Sequence, residues 1–384
     1  MSKRNVCVVI ASRANYGRAK YLMKAIKDSE NLNLQLIVGA STLLERFGRA
    51  INVIRSDGFE PDRTIEYVIE GETLLTQAKS TGLGIIEIAT ALNDLKPDMV
   101  VTVADRFETM ATAIATSYLN IPLIHLQGGE ISGNLDDRVR HSITKLADYH
   151  FVATELSKKR VLQMGEEEFR VFNYGCPAMD VITHININIS NEIMKKYGGV
   201  GMNVDWTEPY ILVIQHPVTT SYGKGMEQIS ETLNACKTIK GITKIVLWPN
   251  IDAGSDDVSK GIRIFREQNK DKGFHYFKNF SPEDYIRVLN SAQCVVGNSS
   301  SIIRECAFLG VPGVIIGDRQ NAREHGKNVV FAKYEKNDIL AKINDQISHG
   351  RYDSDKIFGH GNAGQLIAKQ LEIIDLQKQK RNAY

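Results

Sequence analysis

Long apolar runs are missing from this chain. It has no stretch of about twenty apolar residues, and Met1-Ser-Lys-Arg-Asn runs straight into a strand-like segment with no signal-type apolar region. A membrane partner is not expected, and the cytoplasm is the expected compartment. Cysteine is scarce: the five thiols (Cys7, Cys176, Cys236, Cys294, Cys306) are odd in number and include no C-x-x-C pair, which argues against a disulfide framework or a zinc knuckle. An excess of charge is absent too. With 47 basic and 45 acidic residues the formal net charge is +2, too small to draw the chain to nucleic acid or a membrane surface. No G-x-G-x-x-G follows the first apolar segment and no two histidines stand four residues apart, so neither a nicotinamide cofactor nor a metal is expected. The partner left by these exclusions is a small molecule.

What is present is an alternation of short β-branched runs with helical periodicity. Strands are predicted at Val6–Ala11, Leu34–Ala40, Met99–Ala104, Ile121–Gln127, Tyr149–Thr154 and Val171–Gly175, and again at Tyr210–His216, Lys244–Asn250, Cys294–Asn298 and Gly313–Gly317. Near-continuous apolar strands imply burial on both faces, hence parallel sheets covered by helices. A length of 384 residues exceeds one ordinary core. The expected fold is therefore α/β, with two Rossmann-like doubly wound domains facing a cleft: residues 1–178 with a returning C-terminal helix at 366–384, and residues 179–365.

Ligands of open parallel sheets bind beyond the carboxyl ends of strands, so the residues that follow each strand are the candidates. Arg13, Asp105 and the run Gln127-Gly128-Gly129-Glu130 to Asp136-Asp137 follow strands of the first half; His216-Pro-Val-Thr219-Thr220, Asn250-Ile-Asp252 and a serine loop follow strands of the second. All are expected to converge on one cleft. Asp105 and Asp136 are best placed for proton transfer, although Asp136 is also an ordinary helix cap and Asp105 an ordinary partner for Arg106. Glu130 sits in a loop whose glycines (Gly128, Gly129, Gly133) permit close backbone approach or simply shape a turn. His216, held extended by Pro217, is either an acid or phosphate donor or a packed ring. Arg138, Arg140 and His141 read as the solvated charged face of a helix.

The serine loop, Cys294-Val-Val-Gly-Asn-Ser-Ser-Ser-Ile-Ile-Arg-Glu305, reads as a strand delivering Ser299, Ser300 and Ser301 to a helix start. Open N–H groups, the positive end of the helix dipole and three hydroxyls suit an anion. Glu305, one turn on, suits a ribose diol, and Arg319 behind the next strand suits phosphate oxygens. The ligand suggested is a nucleoside diphosphate.

In order, the loops at 128–146 (Gly-Gly-Glu-Ile-Ser-Gly-Asn-Leu-Asp-Asp-Arg-Val-Arg-His-Ser-Ile-Thr-Lys-Leu), 215–220 (Gln-His-Pro-Val-Thr-Thr), 249–255 (Pro-Asn-Ile-Asp-Ala-Gly-Ser), 297–300 (Gly-Asn-Ser-Ser) and 317–320 (Gly-Asp-Arg-Gln) resemble the UDP-N-acetylglucosamine 2-epimerases, specifically the hydrolysing branch of sialic-acid synthesis. The resemblance spans nearly the whole chain. It implies a glycosyltransferase-B type fold, a homodimer or tetramer, no cofactor, and a UDP-sugar substrate with UDP as product. The implied reaction is elimination of UDP to a 2-acetamidoglucal, then addition of water. Asp105 and Asp136 match catalytic acids, with Glu130, Gln127 and His216 beside them. Arg13, His216, Asn250, Ser299, Ser300 and Arg319 fall on the nucleotide side, and Glu305 at the ribose. One position departs: the family usually carries Glu-Gly-Gly-Glu where this chain has Gln127-Gly-Gly-Glu130, and glutamine cannot titrate. With that departure, Glu130 or Asp136 does the work, Gln127 only positions water, or the substrate is a 4-acetamido-6-deoxy sugar of the legionaminic-acid type; a UDP-sugar binder without catalysis has Gln127 as its support, and a non-hydrolysing epimerase, which shares the fold, is the other alternative.

Overall fold

The computed structural model describes residues 3–71, 73–131, 135–218, 221–250, 254–269, 273–376 and 380–383. Gly133, Thr219, Thr220 and Asp252 lie outside the described residues. The chain divides into two compact units, the first comprising Met1–Ile131, Leu135–Thr183 and Phe358–Tyr384, the second His184–Ile357.

Seven strands build the first unit: β1 (Arg4–Ile10), β2 (Leu32–Gly39), β3 (Arg63–Ile65), β4 (Met99–Val103), β5 (Leu123–Leu126), β6 (Tyr149–Val152) and β7 (Val171–Asn173). They form one parallel sheet in the order β3-β2-β1-β4-β5-β6-β7. β1 shows why the apolar runs had to be strands covered on both faces. Val6, Val8 and Ile10 enter a core with Leu22, Met23 and Ile26 of the helix Arg13–Asp28 and Ile367 and Leu371 of the helix Ala363–Ile373. Cys7, Val9 and Ala11 enter another with Ile88, Leu92 and Ala111. Each such side chain, fully buried, contributes about 1.5–3 kcal/mol relative to exposure. Register then places the loops: Val8 pairs with Val101 and Val103 with Leu126, so the carboxyl ends of β1, β4 and β5 open on one edge of the sheet.

The second unit repeats the plan with β8 (Val200–Gly201), β9 (Tyr210–Ile214), β10 (Thr243–Leu247), β11 (Phe274–Phe277), β12 (Cys294–Gly297), β13 (Gly313–Ile316) and β14 (Val329–Ala332). Their order is β14-β13-β12-β9-β10-β11-β8, parallel except for β8, which runs antiparallel on β11. Four of the fourteen strands among the described residues were not predicted. β3 and β8 are three- and two-residue edge pieces that are mostly exposed, β11 reads Phe-His-Tyr-Phe with no β-branched residue, and β14 is short and half-buried.

The unit boundaries fall a few residues from those expected. Residues 179–183 and 358–365 belong to the first unit because buried Asp180 caps the last helix, accepting from the N–H groups of Ala363 (3.0 Å) and Gly364 (2.6 Å). That helix ends at Ile373 rather than running on to 384, since Arg4 Nη1 takes the terminal carbonyls of Leu371 (3.1 Å) and Ile374 (2.8 Å). Residues 380–383 continue without helix or strand.

Gly297, the last residue of β12, has φ 139°, and a Cβ there would lie 2.0 Å from the Ile214 carbonyl oxygen. The bare backbone lets the end of β12 lie against that of β9. Gly297→Ala is therefore expected to cost about 3 kcal/mol, read by urea denaturation as an earlier transition of the second unit with the first unmoved.

Candidate functional site

Each unit gathers the residues that follow its central strands. In the first, the β1 loop enters the helix Arg13–Asp28 through Ser12, whose hydroxyl accepts from Asn15 N–H (3.2 Å), and Asn15 Nδ2 donates to the Val103 carbonyl (3.2 Å) at the end of β4. Arg13 stands half-buried in that first helical turn. β4 and β5 each end on a left-handed non-glycine residue, Ala104 (φ 66°) and Gln127 (φ 65°), a conformation that costs about 1–2 kcal/mol apiece. Fully buried His125 supports the first of these: its Nε2 donates to the Ala104 carbonyl at 3.0 Å, and burial lowers its pKa to about 3, so the ring stays neutral.

The turn at Ala104 aims Asp105 at Arg140, and this arginine organises the group. Its guanidinium pairs with Asp105, donates to the Glu130 carbonyl (2.7 Å) and pairs with Asp137 (2.5 Å), while the side chain is 1% exposed. Burial alone would disfavour its charge, but the carboxylates of Asp105, Glu130 and Asp137 outweigh that and hold it more firmly protonated than usual. The solvated face expected for this helix, Leu135–Leu146, is thus wrong at Arg140. The residue lies three, four and seven positions from Ile143, Thr144 and Ala147, all fully buried, so helical spacing puts it on the core face. That spacing was the available signal. Asp136, half-buried in the first turn, is one turn from Arg140, and His141 has its pKa lowered by burial and by the neighbouring Arg140 cation.

Gln127 follows β5 and is buried; its Nε2 donates to Cys176 Sγ at 2.8 Å. Five buried, unbridged cysteines include this one.

In the second unit a neutral clasp replaces the charged one. Fully buried Asn298 takes the His216 N–H with Oδ1 (2.8 Å) and returns Nδ2 to the His216 carbonyl (2.8 Å), tying the ends of β12 and β9. The Asn250 N–H, after β10, donates to His216 Nδ1 (3.1 Å). A backbone donor on Nδ1 makes that nitrogen the acceptor, which puts the neutral ring's proton on Nε2. Arg319 Nη1 (3.1 Å) and Gln320 Nε2 (3.0 Å) both donate to the Asn298 carbonyl. Asn298, not singled out in the sequence, joins His216, Asn250 and Arg319.

The serine loop differs from expectation. Ser300–Ile302 is a single 3₁₀ turn and Glu305–Leu309 only a short helix, so a strong helix dipole is not available to an anion. What the loop supplies is local: Ser299 Oγ accepts from Ser301 N–H (3.4 Å), and the Ser301 hydroxyl bonds those of Ser299 (2.9 Å) and Tyr285 (2.5 Å). Ser300 is half-buried. Glu305 keeps one carboxylate oxygen, Oε2, buried with no hydrogen-bond partner among the described residues. No cluster of three or more His, Cys, Asp or Glu suited to a metal occurs among the described residues, and no helix there is long and apolar enough to cross a membrane.

Removing Arg140 would take the guanidinium away from the half-buried carboxylates of Asp105 and Asp137 and from the Glu130 carbonyl. Arg140→Met is expected to destabilise the first unit by about 3–5 kcal/mol in urea denaturation, and Arg140→Lys to recover only part, because an ammonium cannot span three partners as the guanidinium fork does.

Comparison with known proteins agrees with this architecture. A family described as UDP-N-acetylglucosamine 2-epimerase matches residues 24–372. The GDP/UDP-N,N'-diacetylbacillosamine 2-epimerase (hydrolyzing) of Campylobacter jejuni is 33% identical over 331 residues, covering 86% of this chain and 84% of that protein. The UDP-N,N'-diacetylbacillosamine 2-epimerase (hydrolyzing) of Legionella pneumophila is 30% identical over 384 residues, covering 99% and 100%. Among solved structures, the UDP-GlcNAc 2-epimerase of Neisseria meningitidis bound to UDP-GlcNAc superposes with a TM-score of 0.81 at 18% identity, over 96% of this chain and 99% of that one, and shares its glycosyltransferase-B-like fold. With two α/β units, the strand-end groups and near-full-length relatives at this identity, the chain belongs to the UDP-N-acetylglucosamine 2-epimerase family.

Proposed function

We propose that the protein is a hydrolysing 2-epimerase of a UDP-2-acetamido sugar, with UDP-N-acetylglucosamine as substrate and N-acetylmannosamine and UDP as products. The observation that carries the reading is the group of acids around Arg140. Elimination breaks the C1–O bond to UDP and the C2–H bond, forming the C1–C2 double bond. Hydration then puts hydroxyl on C1 and a proton on C2 from the opposite face. The C2 proton is not activated by a carbonyl, so the reaction needs a carboxylate at C2 and stabilisation of the departing diphosphate. Asp105, Glu130 and Asp136 are the proposed proton-moving acids: Arg140 pairs with the Asp105 carboxylate and holds the Glu130 backbone, and Asp136 stands one turn before it on the same helix. More carboxylates than one guanidinium can neutralise is an arrangement in which a proton passes readily between acids. Gln127 cannot take that part; it is proposed to position water or substrate.

For the nucleotide, the proposal assigns Arg13, His216 through Nε2–H, Ser299, Ser300 and Arg319 to the diphosphate, Asn250 to the nucleotide side, and Glu305 to the ribose. The buried, unpartnered Oε2 of Glu305 supports the last, since a ribose hydroxyl would satisfy it.

A second reading, the same chemistry on a UDP-2,4-diacetamido-trideoxyhexose, is favoured by the activities for which the Campylobacter and Legionella relatives are named. Both nucleotide sugars should be supplied separately, with UDP and the free sugar identified by NMR. Release of UDP with N-acetylmannosamine supports the first reading, release from the diacetamido substrate alone supports the second, and return of an intact UDP-linked epimer contradicts hydrolysis. Glu305→Gln and Arg319→Ala are each expected to weaken UDP binding by about tenfold or more in calorimetry.

A further inference from the structure

We propose that Lys380, in the C-terminal segment beyond the last helix, is a positioning residue for the helix Leu135–Leu146, holding Asp136 and Arg140 where the chemistry needs them. The inference rests on the proposed function only in treating those residues as part of the reaction.

The last carbonyls of a helix have no partner inside it, and a cation there is favoured by the dipole. Here the cation comes from more than two hundred residues away in sequence. Lys380 Nζ donates to the carbonyls of Thr144 (3.1 Å), Lys145 (2.8 Å) and Ala147 (2.7 Å), and pairs with Glu166 Oε2 at 2.8 Å. Buried Glu166 extends the grip: its other oxygen takes Lys145 Nζ (2.8 Å), from the same helix, and Oε2 also bonds His150 Nε2 (3.0 Å) on β6. Burial alone would raise the Glu166 carboxyl, but bonds from His150, Lys145 and Lys380 outweigh it and bring it to about 2, so the carboxylate is charged at neutral pH; burial lowers the Lys380 ammonium from its usual value, and the Glu166 charge works against that. The segment is fastened further by Lys145 Nζ to Asn382 Oδ1 (2.9 Å) and Ala383 N–H to the Gly165 carbonyl (2.8 Å).

A helix transmits such a grip. Asp136 stands about 14 Å along the axis from Lys145, and Arg140 lies between them on the buried face. Fixing the last turn against β6 and Glu166 sets the helix's axial position and rotation, and with them the direction of Asp136 and of the guanidinium that orders Asp105, Asp137 and the Glu130 loop. The alternative, in which the tail is merely parked on the helix, predicts no effect on either.

The test compares the full chain with Lys380→Met and Lys380→Arg by amide hydrogen exchange and by steady-state UDP release. Lys380→Met is expected to speed exchange in residues 138–146 about tenfold and to lower kcat about tenfold, leaving KM and UDP affinity unchanged. Lys380→Arg, which keeps donors and charge, should restore both. Unchanged helix exchange in Lys380→Met, or a lower kcat that arginine does not rescue, would overturn the proposal. If the wild type released no UDP from either sugar nucleotide, the proposed function would fail, and the exchange comparison would still decide whether Lys380 holds the helix.

Discussion

A guanidinium cut off from water, with carboxylates on several sides, is the constraint around which the first unit is arranged. Arg140 cannot be neutral, and at 1% exposure it cannot be hydrated, so the chain has to bring acceptors to it. Three separate segments do so: Asp105 from the end of β4, the Glu130 backbone from the loop after β5, and Asp137 from its own helix. Their cost is visible nearby. Ala104 and Gln127 take left-handed backbone, and His125 gives up any useful charge to hold the Ala104 turn. Strain at two consecutive strand ends persists only where the surrounding structure over-determines it, as the bonds around Ala104 and Gln127 do.

The second unit solves the same problem of aligning strand ends without charge. Asn298 acts as a short piece of extra ladder, matching the His216 peptide donor for acceptor, and Gly297 makes room for it by having no Cβ to strike Ile214. The neutral clasp leaves His216 with Nδ1 occupied by a backbone donor and Arg319 and Gln320 gathered on one carbonyl. An electrically quiet frame carrying donors suits an anionic ligand, whereas the acid-rich group suits proton movement; the proposed reaction needs both.

Much of the fold was legible because strands buried on both faces read as unbroken apolar runs, and ten of them were placed that way. The edge pieces β3 and β8 escaped because a short exposed strand carries no hydrophobic signal, and β11 because its burial rests on aromatics and a histidine. At the candidate site, residues directly after strands could be named as candidates, since the rule that places ligands there needs only the strand. Arg140 was missed for the opposite reason. Charge argued for solvent while helical spacing with Ile143, Thr144 and Ala147 argued for the core, and spacing won because carboxylates were waiting inside. Asn298 was passed over because the reading of its loop rested on the serines that follow it, and the helix dipole behind the serines was overestimated because Glu305–Leu309 stops at Gly310, which takes the left-handed cap. The bonds of Lys380 and Arg4 to helix ends join residues so distant in sequence that no local pattern announces them.

The central claim is that the carboxylates grouped around Arg140, Asp105 paired with it and Asp136 one turn away, and not residue 127, move the proton at C2 of the sugar. The measurement that tests it most directly is proton NMR of turnover in D2O, comparing wild type with Asp105→Asn, Asp136→Asn and Gln127→Ala. The account predicts product deuterated at C2 from the wild type and from Gln127→Ala, with turnover lost in at least one aspartate variant. Product that keeps its original C2 proton, or full activity in both aspartate variants alongside loss in Gln127→Ala, would contradict it.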